Sequence, residues 1–270
     1  MSNVELFDFQ REALEQTKHM SRVAYYLDMG LGKTFVGSEK MHELGAKVNL
    51  IVCQKSKIDD WVDHFKTKYP DWIVYDMTTT RKYEKLCLQG AIDNAVRGTH
   101  PIPYVFVINY ELSFRRPELL KLHDFTLMLD ESSLIQNETA KRTKFIMKMD
   151  PANVILLSGT PVSGKYERLI SQIHLLGWNI TENTFWNQYV NYHYEDDEGF
   201  PLLIVDGYKN EDRLRRKLNE HGCVFKKTDE VFELPEQIWN DIKVPTTKEY
   251  KKFKSKRFTF NFAALIFGPL

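Results

Sequence analysis

Cysteine is scarce in this sequence. Cys53, Cys87 and Cys223 are odd in number and widely spaced, which suits a reducing compartment and excludes a cysteine-rich zinc site. The eight histidines show no paired metal-ligand spacing, which argues against a histidine-based zinc centre as well. Excess charge of either sign is missing: Lys+Arg and Asp+Glu both number 37. No blanket attraction therefore draws the chain to nucleic acid, and any such contact must rest on a local basic surface. No run reaches the roughly 18 apolar residues of a membrane span, and the start, MSNVELFDFQREAL, has no apolar signal core. The expectation is a soluble, intracellular (cytoplasmic) protein with no membrane partner. Repeats and low-complexity tracts are missing too. What the chain does have is apolar material, 43% hydrophobic with 13% aromatic residues over 270 positions. That is enough to bury a sizeable core in one large domain or two small ones.

The apolar residues come in short runs: VAYYL (23–27), VNLIVC (48–53), WIVY (72–75), YVFVIN (104–109), FTLML (125–129) and NVILL (153–157). Each reads as a strand buried on both faces. Amphipathic stretches at 34–44, 57–66, 81–96 and 139–147, with another starting near 166, read as helices. Alternation of this kind predicts an α/β fold with a mostly parallel sheet and helices on both faces. Ligands in such sheets sit at the carboxyl ends of the strands. Beyond residue 177 the rhythm changes. An aromatic, polar stretch and a short charged helix in NEDRLRRKLNEH suggest a helical or irregular appendage over 178–235. The aromatic run FWNQYVNYHY reads as packing more than as base stacking, and RLRRKL as a solvated helix face. Residues 236–270 read as a linker and the start of a further lobe. The apolar end, RFTFNFAALIFGPL, is expected to belong to a chain that stops early or changes frame before that lobe.

The first chemical signal is DMGLGKT, residues 28–34, directly after the first strand and opening a helix. Gly30 and Gly32 let successive backbone N–H groups curl inward around Met29 and Leu31, as phosphate oxygens require. The helix beginning near Lys33 adds its positive dipole end. Lys33 can reach β- and γ-phosphates, and the Thr34 hydroxyl can ligate Mg²⁺. The strict form of this loop would carry a further glycine at position 27, where Leu27 stands. The second signal is LMLDESS: Asp130 and Glu131 follow an apolar strand. Asp130 can hold Mg²⁺, directly or through water, and Glu131 can take the proton from an attacking water. One strand later, LSGTP places Ser158, Gly159 and Thr160 on a strand-end turn, where small hydroxyl residues could sense a γ-phosphate.

In this order the motifs resemble those of the Swi/Snf-type branch of the superfamily-two helicases, which are translocases on double-stranded DNA. DMGLGKT is similar to motif I of that family, LDESS to motif II and LSGTP to motif III. FDFQREAL near the start looks like its Q-type motif, and VCQKSKIDDWVDHF matches motif Ia, with Ser56 and Trp61 at the family's spacing. VINYELSF and the stretch 207–237 resemble later conserved segments, so the likeness covers roughly residues 6–252. It implies a RecA-like P-loop lobe over 1–177, with ATP and Mg²⁺ as ligands. Gln10 would read adenine. Lys55, Ser56, Asn109 and Tyr110 would face the tracked strand of duplex DNA. Ser133, where the family usually has histidine, would with Ser158, Gly159 and Thr160 connect nucleotide state to DNA contact. A second RecA-like lobe, or another protein, would supply arginine fingers.

The leading expectation is the first, ATP-binding lobe of a DNA-dependent ATPase that moves on duplex DNA, with weak turnover from this chain alone. The alternative is a nucleotide- or DNA-binding module without turnover. A small-molecule phosphotransferase is a weaker third, because the acidic pair and the later turn follow a helicase order.

Overall fold

The computed structural model describes residues 5–99, 102–162, 164–197 and 200–232. Helix α1 (Asp8–Gln16) precedes strand β1 (Arg22–Leu27), and α2 (Lys33–Leu44), β2 (Val48–Cys53), α3 (Ile58–Lys68), β3 (Ile73–Asp76), α4 (Lys82–Arg97) and β4 (Tyr104–Asn109) follow. A short α5 (Tyr110–Ser113) leads to β5 (Phe125–Asp130), α6 (Lys141–Ile146), β6 (Asn153–Ser158), α7 (Ile170–Leu175) and α8 (Glu182–Tyr189). Then come β7 (Val190–Asp197), β8 (Phe200–Tyr208), α9 (Glu211–Glu220), β9 (Cys223–Lys226) and α10 (Thr228–Val231). Seven strands form one sheet in the order β3-β4-β2-β5-β6-β1-β9. Every pairing in it is parallel.

The continuous apolar runs are explained by burial on both faces. Alternate side chains of one strand enter different cores: Leu50 and Val52 of β2 belong to one cluster, Ile51 and Cys53 to the other. A strand with period-two geometry and helices on either side has no solvent face to mark with polar residues. The helices show the complementary pattern. In α3 the buried positions are Ile58, Trp61, Val62 and Phe65, a single stripe at helical spacing.

Among the described residues, the stretch read as an appendage carries three helices and three strands. Cys223–Lys226 adds a seventh strand, paired in parallel with β1 from Ala24↔Cys223 to Leu27↔Lys226, so the sheet draws on residues well past position 177. It is a short edge strand, and CVFK with charge on its far side gives little period to read. The aromatic stretch forms the antiparallel hairpin of β7 and β8, with a register shift between Asn191 and Tyr192. The expected linker at 236–270, with the apolar end, lies outside the described residues. Among the described residues no helix is long and apolar enough to cross a membrane.

Candidate nucleotide-binding site

The loop between β1 and α2 is held in shape by its glycines. Gly30 has φ 83° and Gly32 φ 71°, a region that costs other residues about 1–2 kcal/mol. Gly32 is the N-cap of α2, so the first amides of that helix have no acceptor within it. Leu31 is buried and anchors the loop, while Met29 is 86% exposed at its crest. Lys33 Nζ donates to the carbonyls of Leu27 (3.0 Å) and Asp28 (3.2 Å). Both acceptors are uncharged carbonyls, so an ionised phosphate would compete for this ammonium. Thr34 is half-buried in the first turn of α2.

Gln10 meets the loop from below. Its Nε2 donates to Leu31 O at 2.9 Å, and its Oε1 accepts from Phe7 N at 3.0 Å. A Cβ at position 32 would lie 2.4 Å from that Nε2. Only a glycine lets the carboxamide sit there. Gln10 is itself buried, so in this structure its amide braces the loop between β1 and α2.

The acidic pair stands two strands away. β5 neighbours β6, and β6 neighbours β1, so the ends of β5 and β1 lie roughly 9–10 Å apart, two strand spacings. Asp130 Oδ2 accepts the indole N–H of Trp61 at 2.8 Å. Burial pushes the Asp130 carboxyl above the usual carboxylate range, against the indole bond and the nearby Lys33 ammonium, which pull it down. A carboxylate is a hard oxygen donor, the kind of ligand that a divalent cation such as Mg²⁺ takes. Glu131 adopts a left-handed backbone, φ 54°, and the Tyr110 hydroxyl supports this turn by donating to Asp130 O at 2.9 Å. Between the acids and the loop lies the turn after β6. Ser158 Oγ donates to Glu131 Oε2 at 3.4 Å and accepts from Thr160 N at 3.2 Å. A Cβ on Gly159 would sit 3.5 Å from both Lys33 Nζ and Leu27 O. Lys33, Gly159, Ser158 and Glu131 therefore form one unbroken line across three adjacent strand ends.

The residues expected at nucleic acid divide. Lys55 and Ser56 are exposed and line, with Gln54, Thr78, Asn109 and Arg115, an open groove of about 1030 Å³. Asn109 reaches it with little surface, its amide donating to Glu111 Oε2 at 2.8 Å. Tyr110 is the correction. It is fully buried and its hydroxyl is spent on the acidic turn, so it has no surface to offer a phosphate. At the other turn, Ser133 is half-buried, and the buried hydroxyl belongs to Ser132, one residue earlier. Sequence reasoning noted Trp61 for its spacing alone and did not find its bond to Asp130. An apolar helix stripe conceals which member carries a donor aimed at the sheet edge.

Residues 26–261 match the family model of the SNF2-related domain. A SWI/SNF-related matrix-associated actin-dependent regulator of chromatin subfamily A-like protein 1 homolog from Caenorhabditis elegans is 25% identical over 86% of this chain and 33% of its own length. Protein CHROMATIN REMODELING 5 of Arabidopsis thaliana is 26% identical over 55% of the chain and 9% of its own length. The chain thus spans a third or less of these two relatives. Among solved structures, the Sulfolobus solfataricus SWI2/SNF2 ATPase core in complex with dsDNA superimposes with a TM-score of 0.57 at 16% identity. The match covers 83% of this chain and 45% of that one. It shows a shared α/β fold, that of a RecA-like lobe.

Proposed function

The chain belongs to the SNF2-related domain family, and from that premise we propose that it is the ATP-binding lobe of a DNA-dependent ATPase that translocates on duplex DNA. The observation that carries the reading is the line from Lys33 through Gly159 and Ser158 to Glu131. It joins a phosphate loop, a sensor turn and an acid on neighbouring strand ends, which a phosphotransferase acting on small molecules would not need in that order.

In this reading the amides of residues 30–34 receive the phosphates, and Lys33 leaves its two carbonyls to neutralise their charge. Thr34 and Asp130 would hold Mg²⁺, which when bound spreads the charge of the β- and γ-phosphates. Glu131 accepts the proton of a water attacking the γ-phosphate in line. Ser158 already bonds its carboxylate and so reports whether that carboxylate is engaged. Gln10 has one N–H and one lone pair beyond its present bonds, enough to read an adenine edge while bracing the loop. Lys55, Ser56 and Asn109 would take the backbone of the tracked strand, a contact with no base reading. A second RecA-like lobe, in the same polypeptide or another, would close over the site with arginines worth about 10³–10⁵ in turnover. Turnover by this lobe alone is correspondingly slow.

The test is Mg²⁺-ATP binding by the purified 270-residue chain, read as a rise in melting temperature, with hydrolysis followed over hours with and without duplex DNA. The expected result is stabilisation lost in Lys33→Ala, and slow hydrolysis lost in both Lys33→Ala and Glu131→Gln. Binding without any hydrolysis would point to a nucleotide-gated module. A melting temperature indifferent to nucleotide would overturn the reading.

A further inference from the structure

Gln172, on α7, has no accessible surface, and nothing in the expected motifs gives it a task. A carboxamide in a core is costly unless its hydrogen bonds are made. Here they are made to three separate parts of the site. Its Oε1 accepts from Ser132 Oγ at 2.7 Å and from Tyr26 Oη at 3.1 Å. Its Nε2 donates to Pro161 O at 3.0 Å, a carbonyl that also accepts from Gln136 Nε2 at 3.1 Å. Ser132 directly follows Glu131, Pro161 directly follows Thr160, and Tyr26 is two residues before the phosphate loop. Burial holds the Tyr26 phenol well above its ordinary range, so it remains a donor.

One side chain thus meets all three strand ends from the face of the sheet opposite α2. The Glu131–Ser158 contact is at the long limit of a hydrogen bond, 3.4 Å, and does not by itself fix how far apart those two turns stand. Gln172 bonds both turns at shorter distances. We propose that Gln172 is a positioning residue for hydrolysis: through Ser132 and Pro161 it sets the separation of the Glu131 turn from the Ser158–Thr160 turn, and through Tyr26 it ties both to the strand that feeds the phosphate loop. The assignment rests on the ATPase reading above. It adds a residue that touches neither nucleotide nor cation and acts on the rate, not on affinity.

The experiment compares the full chain with Gln172→Leu, Gln172→Glu and Ser132→Ala, measuring Mg²⁺-ATP affinity and single-turnover hydrolysis on the same samples. Leucine keeps the volume and makes none of the bonds. A misplacement of about 1 Å costs on the order of 10²-fold in rate, so Gln172→Leu should lose about 10- to 100-fold in hydrolysis while keeping ATP affinity within about threefold. Ser132→Ala, which removes one contact, should show the same split with a smaller loss. Glutamate supplies the control that a merely structural role would not pass. A buried carboxyl resists ionisation, so its pKa is raised. Below that pKa the neutral acid accepts from Ser132 and Tyr26 and donates to Pro161, as the amide does. Above it the donor is gone. Gln172→Glu should therefore recover towards the unsubstituted rate as pH falls, with ATP affinity little changed. Should Gln172→Leu fail to fold, Ser132→Ala and Gln172→Glu carry the test. The proposal is overturned if the variants hydrolyse at the unsubstituted rate, or if rate and affinity fall together. If the unsubstituted chain shows no Lys33-dependent hydrolysis, the ATPase reading fails and takes this assignment with it.

Discussion

Replacing Trp61 by phenylalanine isolates one bond at the centre of the site. Trp61 is buried and its indole N–H donates to Asp130 Oδ2 at 2.8 Å. The substitution removes two effects together. One is packing: the smaller ring leaves a void costing about 1–2 kcal/mol, well below the 3–5 kcal/mol of a full truncation to alanine. The other is a hydrogen bond to a charged group, about 1.5–3 kcal/mol. The void costs the same at every pH, whereas the bond matters only while Asp130 is ionised. Burial already raises the Asp130 carboxyl above its unfolded value, with the indole opposing that rise. Without the indole the folded-state pKa climbs further. A carboxyl whose folded pKa is raised costs stability at pH above that pKa, and the cost vanishes below the unfolded value. The stability gap between the native chain and Trp61→Phe should therefore be full near neutrality, shrink as pH falls through the variant's folded pKa, and level off at the packing cost alone. Urea unfolding at a series of pH values from neutrality down into the ordinary carboxylate range reads this directly. A proton and a cation would also compete for the same carboxylate, so the variant's Mg²⁺ requirement for ATP binding should rise as pH falls. A gap that stays constant across the range would refute the argument, because it would mean the indole does nothing for the ionised acid.

Four further outcomes follow from the same structure. Gly32→Ala must hold a left-handed backbone and displace the Gln10 amide lying 2.4 Å from its new Cβ, so chemical denaturation should show a loss of about 2–4 kcal/mol, with nucleotide binding lost as well. Tyr110→Phe deletes the bond to Asp130 O and should slow hydrolysis and cost about 1 kcal/mol without altering DNA affinity. Lys55→Ala should do the reverse, weakening DNA binding at all sequences and lowering the salt slope by about one in a titration series. Lys40→Met removes a buried ammonium that donates to Thr17 O at 2.7 Å and Glu43 Oε1 at 2.9 Å. It should destabilise by about 1.5–3 kcal/mol, loosening the end of α1 and with it the helix that carries Gln10.

The six strands of the sheet's interior and far edge were legible because burial on both faces writes itself as unbroken apolar runs. The loop's shape was legible because Gly30 and Gly32 mark left-handed backbone between a strand and a helix. What escaped has physical reasons. β9 is a four-residue edge strand whose partner, β1, lies some 200 residues earlier in the chain, and long-range pairing leaves no local mark. The hairpin did carry a signal, since Val190, Tyr192 and Tyr194 alternate with polar neighbours, but the aromatic content obscured the period. Tyr110 and Ser133 show the limit within a motif. Both sit beside residues of the proposed site, yet the direction of a side chain at a strand end depends on the turn that follows, and here Tyr110 turns inward while Ser132 occupies the buried position. Gln172 was invisible for a related reason. A lone glutamine between apolar helix residues reads as surface until three partners from distant segments appear around it.

The central claim is that a triphosphate lies on the amides of residues 30–34 with its cation shared between Thr34 and Asp130. Crystals grown with a non-hydrolysable ATP analogue and Mn²⁺ in place of Mg²⁺ would test it through the anomalous signal of the metal. The account predicts one peak within coordination distance of both the Thr34 hydroxyl and the Asp130 carboxylate, directly or through one water, with the phosphates against the loop. A metal bound away from either residue, or a nucleotide seated elsewhere on the lobe, would contradict it.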